Sequence, residues 1–250
     1  MIKFFKKYYG VLLIFVFAGI VGTFLISDSL LASYPPKMQE QMIQQGMTET
    51  LFAVVGSVQY AAYGFFLGIF GIILAKKIGL WQDHFRLEFK PFSASLMVGI
   101  IGGIAMIAFD ILWFGREIQP IADSYLVKPD IATILGSMIL GGIIEEVMLR
   151  LFMMSLIAFL FIKVFGNSDK TDLFLVIANV ISAALFAAAH LPSTQILFGL
   201  TPLIVFRCFL LNGGFGLLFG RMYRKYGIVY AMIAHVGCHL VSKLIWIFAL

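Results

Sequence analysis

The chain has 250 residues, 61% hydrophobic and only 12% charged, with a mean hydropathy of +1.00. Soluble domains carry about 25% charged residues, so a water-soluble globule is excluded. The net charge of +5 does not indicate a nucleic-acid partner, because the basic residues are scattered between apolar stretches instead of forming one patch. No ten-residue alternating barrel pattern is present, and backbone in lipid must satisfy its own hydrogen bonds. An all-α, polytopic transmembrane helix bundle is what remains.

Seven stretches are long enough to cross about 30 Å of hydrocarbon at ~1.5 Å per residue. They run Tyr9–Ser27, Leu51–Ala75, Ala94–Phe114, Ile131–Ile162, Leu173–His190, Pro202–Tyr223 and Ile228–Leu250. The first follows Met-Ile-Lys-Phe-Phe-Lys-Lys and superficially resembles a signal peptide. Its apolar run to Ile26 is too long for a typical signal core and no small-x-small cleavage site follows, so a retained span is expected. The fourth exceeds what a crossing needs, so it is tilted, broken or extended beyond the lipid, and an eighth element fits there or in Leu191–Thr201. The expectation is seven to eight spans, divided into residues 1–130, with three spans and little motif content, and a core of residues 131–250.

Basic residues alternate between the two sides. Lys3, Lys6, Lys7, Lys76, Lys77, Arg86, Lys90, Lys163, Lys170, Arg221, Arg224 and Lys225 fall on one side, against Lys37, Arg116 and Lys128 on the other. Twelve against three places the N-terminus in the cytoplasm and, with seven spans, the C-terminus outside. Gly64 and Gly68, Gly99 and Gly103, and Gly216 and Gly220 have the small-xxx-small spacing of close helix contacts, within one bundle or between two copies. Cys208 and Cys238 form no C-x-x-C pair and read as inert buried thiols.

Charges inside a bilayer are expensive and seldom kept without a use. Glu145, Glu146 and Arg150 occupy the fourth span. Of the four histidines, His84 lies in a loop beside Asp83 and reads as solvated, while His190, His235 and His239 fall in spans or at their ends. His235 and His239 are four apart and share a helix face, as do Glu146 and Arg150. Glu145 is rotated by about 100° from Glu146. The expected arrangement has Glu146 partly neutralised by Arg150 and Glu145 free to face the histidines, with Gly141 and Gly142 admitting a neighbouring helix. Asp110, beside Trp113, reads as interfacial. Arg207 and Asn212 either pair with Asp110 or line the cavity.

Glu145-Glu146-Val-Met-Leu-Arg150 has the form E-E-x-x-x-R, Phe186-Ala-Ala-Ala-His190 the form F-x-x-x-H, and His235-x-x-x-His239 follows in the last span. In that order on successive helices, from Ile131 onward, they resemble the motifs of the CPBP family. These are the CAAX-protease and bacteriocin-processing (Abi) intramembrane proteases, which include the type II CAAX prenyl endopeptidases. The resemblance implies hydrolysis of a peptide bond in a membrane-associated peptide or protein. Glu145 and His190 would activate water, Glu146 and Arg150 would support the site, and His235 with His239 would stabilise the oxyanion. Family members often carry asparagine where this chain has His239. The change creates a set of Glu145, His190, His235 and His239 suited to a divalent metal such as zinc, although no H-E-x-x-H is present. A bacterial cell membrane is the expected location.

The chemistry is coherent apart from the family: burial raises a glutamate toward the range of a useful base, and a polar cavity supplies oxyanion donors. Two rivals stay open, a non-catalytic scaffold or bacteriocin immunity protein and a proton-coupled transporter using the same acidic helix. One difficulty concerns depth. His190 lies about 26 Å along its span from Leu173, and His235 only about 10–12 Å from Ile228. A boundary near Tyr226-Gly227 that lies deeper than drawn is the expected remedy.

Overall fold

A computed structural model describes residues 2–166 and 170–249; Leu250, the expected end of the last span, lies outside them. Among the described residues there is no strand. Seven helices are long and apolar enough to cross a membrane: α1 (Ile2–Ala32), α2 (Glu49–Lys77), α3 (Phe89–Glu117), α4 (Ile131–Phe165), α5 (Thr171–Phe198), α6 (Pro202–Tyr226) and α7 (Ile228–Ala249). The chain is thus a polytopic helical bundle. The extra element expected within Leu191–Thr201 is an eight-residue helix, Leu191–Phe198, continuing α5 after a break at His190.

Local sequence explains the starts and stops. Thr48 accepts a hydrogen bond from the Leu51 amide at 3.1 Å, and Asp130 accepts one from Thr133 at 2.7 Å, capping α2 and α4. Gly199 and Gly227 end their helices with φ of 74° and 101°, a region open to glycine and costly for other residues. Between the caps, large apolar side chains such as Leu13, Phe17 and Phe24 remain more than half exposed. In lipid that is the solvated face.

Helices approach closely where a side chain is missing. A Cβ on Gly19 would sit 2.5 Å from the Tyr60 carbonyl oxygen, and one on Gly64 would sit 2.6 Å from that of Phe15, so α1 and α2 pack backbone against backbone. Gly99 and Gly103 do the same for α3 against Ala234 and Cys238 of α7, and Gly216 for α6 against Ala183 of α5. The glycine pairs read from the sequence therefore serve packing within one bundle. α4 is central, meeting α1 through Gly136 and α7 through Gly141 and Gly142.

Two polar clusters close opposite ends of the bundle. At the basic end, Asp83 receives Lys7 at 2.8 Å and the Tyr8 hydroxyl, with Lys76 at 3.4 Å. These partners, Lys7 foremost, hold the Asp83 carboxyl well below its usual range. At the other end Asp110 sits among the helices and not on the lipid-facing surface. It is buried and accepts Arg207 Nε at 2.6 Å and the Tyr125 hydroxyl at 2.7 Å. An unpaired carboxylate at that depth is costly, so the sequence alternative in which Arg207 pairs with Asp110 is the one realised.

Candidate active site

The backbone of α4 departs from α geometry where the acidic residues lie. Leu140–Glu145 and Val147–Met154 form wide i→i+5 turns, a conformation that concentrates at functional sites. Wide turns advance each side chain by less than the ~100° of an α-helix. As a result the two carboxylates flank one imidazole. Glu146 Oε1 lies 2.8 Å from His235 Nδ1, and Glu145 Oε2 lies 4.0 Å from His235 Nε2. The division of labour expected from 3.6-residue periodicity changes accordingly: Glu146 pairs with Arg150 at 3.1 Å and also holds a histidine.

Glu146 and Arg150 are fully buried. Arg150 stacks its guanidinium on Phe186 at 4.4 Å and Phe219 at 5.6 Å, so two ring faces meet a charge that lipid would leave unsolvated. Glu146 Oε2 and both terminal nitrogens of Arg150 lack hydrogen-bond partners among the described residues, apart from the Glu146 ion pair. His235 is sandwiched between Phe219 at 4.4 Å and His239 at 4.9 Å, with near-parallel planes on both sides.

His190 stands at the break in α5, where the chain turns into Leu191–Phe198. Its Nδ1 is 2.8 Å from the Phe186 carbonyl oxygen. A carbonyl only accepts, so Nδ1 donates, and the neutral ring keeps its lone pair on Nε2. Phe186, one turn earlier, lies edge-on to both His190 at 4.7 Å and His235 at 5.9 Å. The depth difficulty resolves through that ring and through tilt. α7 starts at Ile228, directly after Gly227 ends α6. Asp172 of α5 faces Arg224 and Ala183 faces Gly216, so eleven residues of α5 run beside eight of α6. The oblique path lowers His190 toward the other groups.

Glu145, His190, His235 and His239 together wall one cavity of 160 Å³, with Asn212, Ser137 and Phe215 among its other sides. Glu145 and His190 also wall a larger adjoining chamber of 500 Å³, which reaches Tyr34, Tyr60 and Pro192. Sequence reasoning had no signal for Ser137, Tyr34 or Tyr60, since each is one polar residue in an apolar segment. Asn212 was legible as a site neighbour, and a wide turn at Phe209–Gly213 presents it.

The four donors do not assemble as a zinc cage. Imidazole lone pairs lie in the ring plane, and the His235 and His239 planes are stacked 14° from parallel, so one ion cannot lie in both. His235 Nδ1 is committed to Glu146. Among the described residues no group of three or more His, Cys, Asp or Glu side chains converges in a way that holds a metal ion.

Fold and cavity define a multi-pass membrane protein with an acid–imidazole centre enclosed by its helices. The family model described as Type II CAAX prenyl endopeptidase Rce1-like matches residues 127–241, just under half the chain and all six motif residues. That segment is similar to the Rce1-like family, and the match supports a CAAX-type intramembrane protease at the family level. No curated protein and no solved structure matches the chain.

Proposed function

We propose that the protein is an intramembrane endopeptidase that hydrolyses a peptide bond of a membrane-associated peptide or protein. The observation that supports the reading best is the pair of carboxylates flanking His235 on the wall of a cavity shared with His190 and His239. Glu145 and His190 Nε2 are the two acceptors free to take a proton from water, which then adds to the scissile carbonyl carbon. The tetrahedral oxyanion needs N–H donors. His239 supplies one in its neutral form, and His235 supplies one in the tautomer that carries its proton on Nε2, with a protonated Glu146 donating to Nδ1. Collapse breaks the C–N bond, and the proton held by Glu145 or His190 passes to the leaving amine. Arg150 and Glu146 act through His235, fixing its ring and its tautomer. Because the donor set does not fit a zinc ion, no step is drawn through one.

The test compares membrane peptides by mass spectrometry in cells with the intact protein and with Glu145→Ala or His190→Ala. New N-termini made by the intact protein are expected to vanish in both variants while each remains folded in membranes. Full cleavage by both variants refutes the peptidase reading and favours a scaffold, and solute movement without any new N-terminus favours a transporter. A strong chelator is expected to leave cleavage unchanged. Loss of activity that zinc restores would refute the metal-free route.

A further inference from the structure

The candidate catalytic cavity adjoins a chamber that runs toward one end of the bundle. The 500 Å³ chamber shares Ile26, Leu140, Glu145, Phe186 and His190 with it and runs to Leu30, Ser33 and Tyr34 at the far end of α1. A separate 340 Å³ cavity at the opposite end is walled by Tyr8, Trp81, Asp83, Tyr226, Ile143 and Met232, among others, and shares no wall residue with either. The site is therefore continuous with the chamber at α1's C-terminal end and separate from the cavity at its N-terminal end.

Charge identifies the two ends. Lys3, Lys6 and Lys7 begin α1, Lys76 and Lys77 end α2, Lys163 lies near the end of α4, and Arg221, Arg224 and Lys225 end α6. Each of these helix ends is the one away from the chamber mouth. Leu30 lies about 35 Å along α1 from Lys7, more than the ~30 Å hydrocarbon thickness, so the mouth reaches the interface opposite the basic residues. Basic loops stay in the cytoplasm. The mouth then faces the other compartment.

The walls also select the substrate. Among the described residues no lysine or arginine lines the cavity or the chamber, while Glu145 lines both. A terminal carboxylate would meet no lysine or arginine on those walls and a repelling neighbour in Glu145. The chamber offers apolar side chains with the hydroxyls of Tyr34, Tyr60, Ser33 and Ser193, and its volume is within the ~300–1,000 Å³ of ordinary ligand sites.

We infer that the enzyme takes an internal, uncharged, extended segment of peptide or protein from the extracytoplasmic side, through the chamber between α1, α2 and the broken end of α5. What is cleaved rests on the hydrolase reading; the sidedness of access does not.

Single cysteines test the two parts separately. Ser33→Cys and Ser193→Cys mark the mouth and Gln82→Cys the opposite end, all in the full chain carrying Glu145→Ala. A sulfonated, membrane-impermeant thiol reagent is applied to right-side-out and inverted vesicles, with the parent protein giving the background from buried Cys208 and Cys238. Labelling at positions 33 and 193 is expected at least tenfold faster in right-side-out vesicles, with the reverse at position 82. Labelling of the mouth from the inverted face, equally from both, or from neither overturns the inference whatever the protein's activity. In the active chain, Ile196→Trp, which fills the chamber, is expected to slow cleavage of an externally added apolar dye–quencher peptide at least tenfold, and Gln82→Trp to leave it unchanged. Equal rates for both variants, or faster cleavage when the reporter's scissile bond lies beside a free C-terminal carboxylate, overturns the assigned substrate class.

Discussion

Gly141→Ala isolates the contribution of His239. An added Cβ would collide with His239 Nε2, with Cδ2 at 3.1 Å and Cε1 at 3.4 Å. Ordinary contact is about 3.5–4.0 Å, so the ring must move by roughly 1 Å. The obstructed group is the end of a side chain, so the helices themselves can stay in place. Overpacking costs about 1–3 kcal/mol, and replacing a helical glycine by alanine returns about 0.5–1 kcal/mol. The net cost to folding is therefore about 0–2.5 kcal/mol. Turnover should not survive as well: a misplacement of ~1 Å costs about 10²-fold, and loss of an oxyanion donor about 10²–10³-fold in kcat. The assay is a double-substitution cycle on turnover, with thermal unfolding in detergent as the control for folding. In a His239→Ala background Gly141→Ala should cost almost nothing further, because the ring it displaces is gone. Full turnover in Gly141→Ala would show that the placement of the His239 ring does not matter to the reaction, and independent multiplicative losses in the pair would show that Gly141→Ala acts by a route other than that ring. Gly142→Ala is the contrasting case, since its Cβ meets Val236 Cγ2 and, at 3.1 Å, the Val236 backbone nitrogen. That variant should lose stability first.

Arg150→Met should destabilise the protein by about 3–5 kcal/mol, because it strands the buried Glu146 carboxylate. Adding Glu146→Gln should recover much of the loss in thermal unfolding, and no recovery would mean that Arg150 acts through the Phe186 and Phe219 rings instead. Asp83 titrates lower in the folded protein than the ~3.9 of a free aspartate, so its stabilisation is present above that unfolded value and is lost as pH falls through the folded one. The wild type should exceed Asp83→Asn in stability at pH 7, with the gap closing on acidification. A gap that widens below pH 4 would contradict the ion-pair origin.

The bundle was legible because length and apolarity alone specify a crossing, and Thr48, Asp130 and Gly227 mark helix ends by local chemistry. Depth and facing were less legible. A helical wheel separates Glu145 from Glu146, whereas the wide turns bring both to His235, and no residue type announces an i→i+5 turn in advance. The partner of Asp110 was undecided for a related reason. Trp113 suggested an interface, but the deciding partner, Arg207, lies three helices further along the chain. Likewise the Phe186 spacing was visible, but its service as a bridge between His190 and His235 depends on the tilt of α5, which only tertiary packing sets.

A buried arginine–glutamate pair is weak evidence for stability, since apolar residues of equal volume often serve a core as well or better. What distinguishes this pair is its company. The two wide turns of α4 bracket Glu146, which alone keeps α geometry between them, and its carboxylate reaches a histidine that two parallel rings hold in place. Local helical preference, lipid solvation and hydrogen-bond satisfaction are all compromised within one turn of one helix. Departures that coincide in this way are expected at functional sites, where local consistency gives way to a required arrangement of groups. A network serving only to set helix register would need none of the departures around Glu145, whose side chain is partly exposed to the cavity and is not engaged in the buried ion pair. The cost is confined to the side of α4 that meets the histidines, where the proposed hydrolysis would have both its base and its donors.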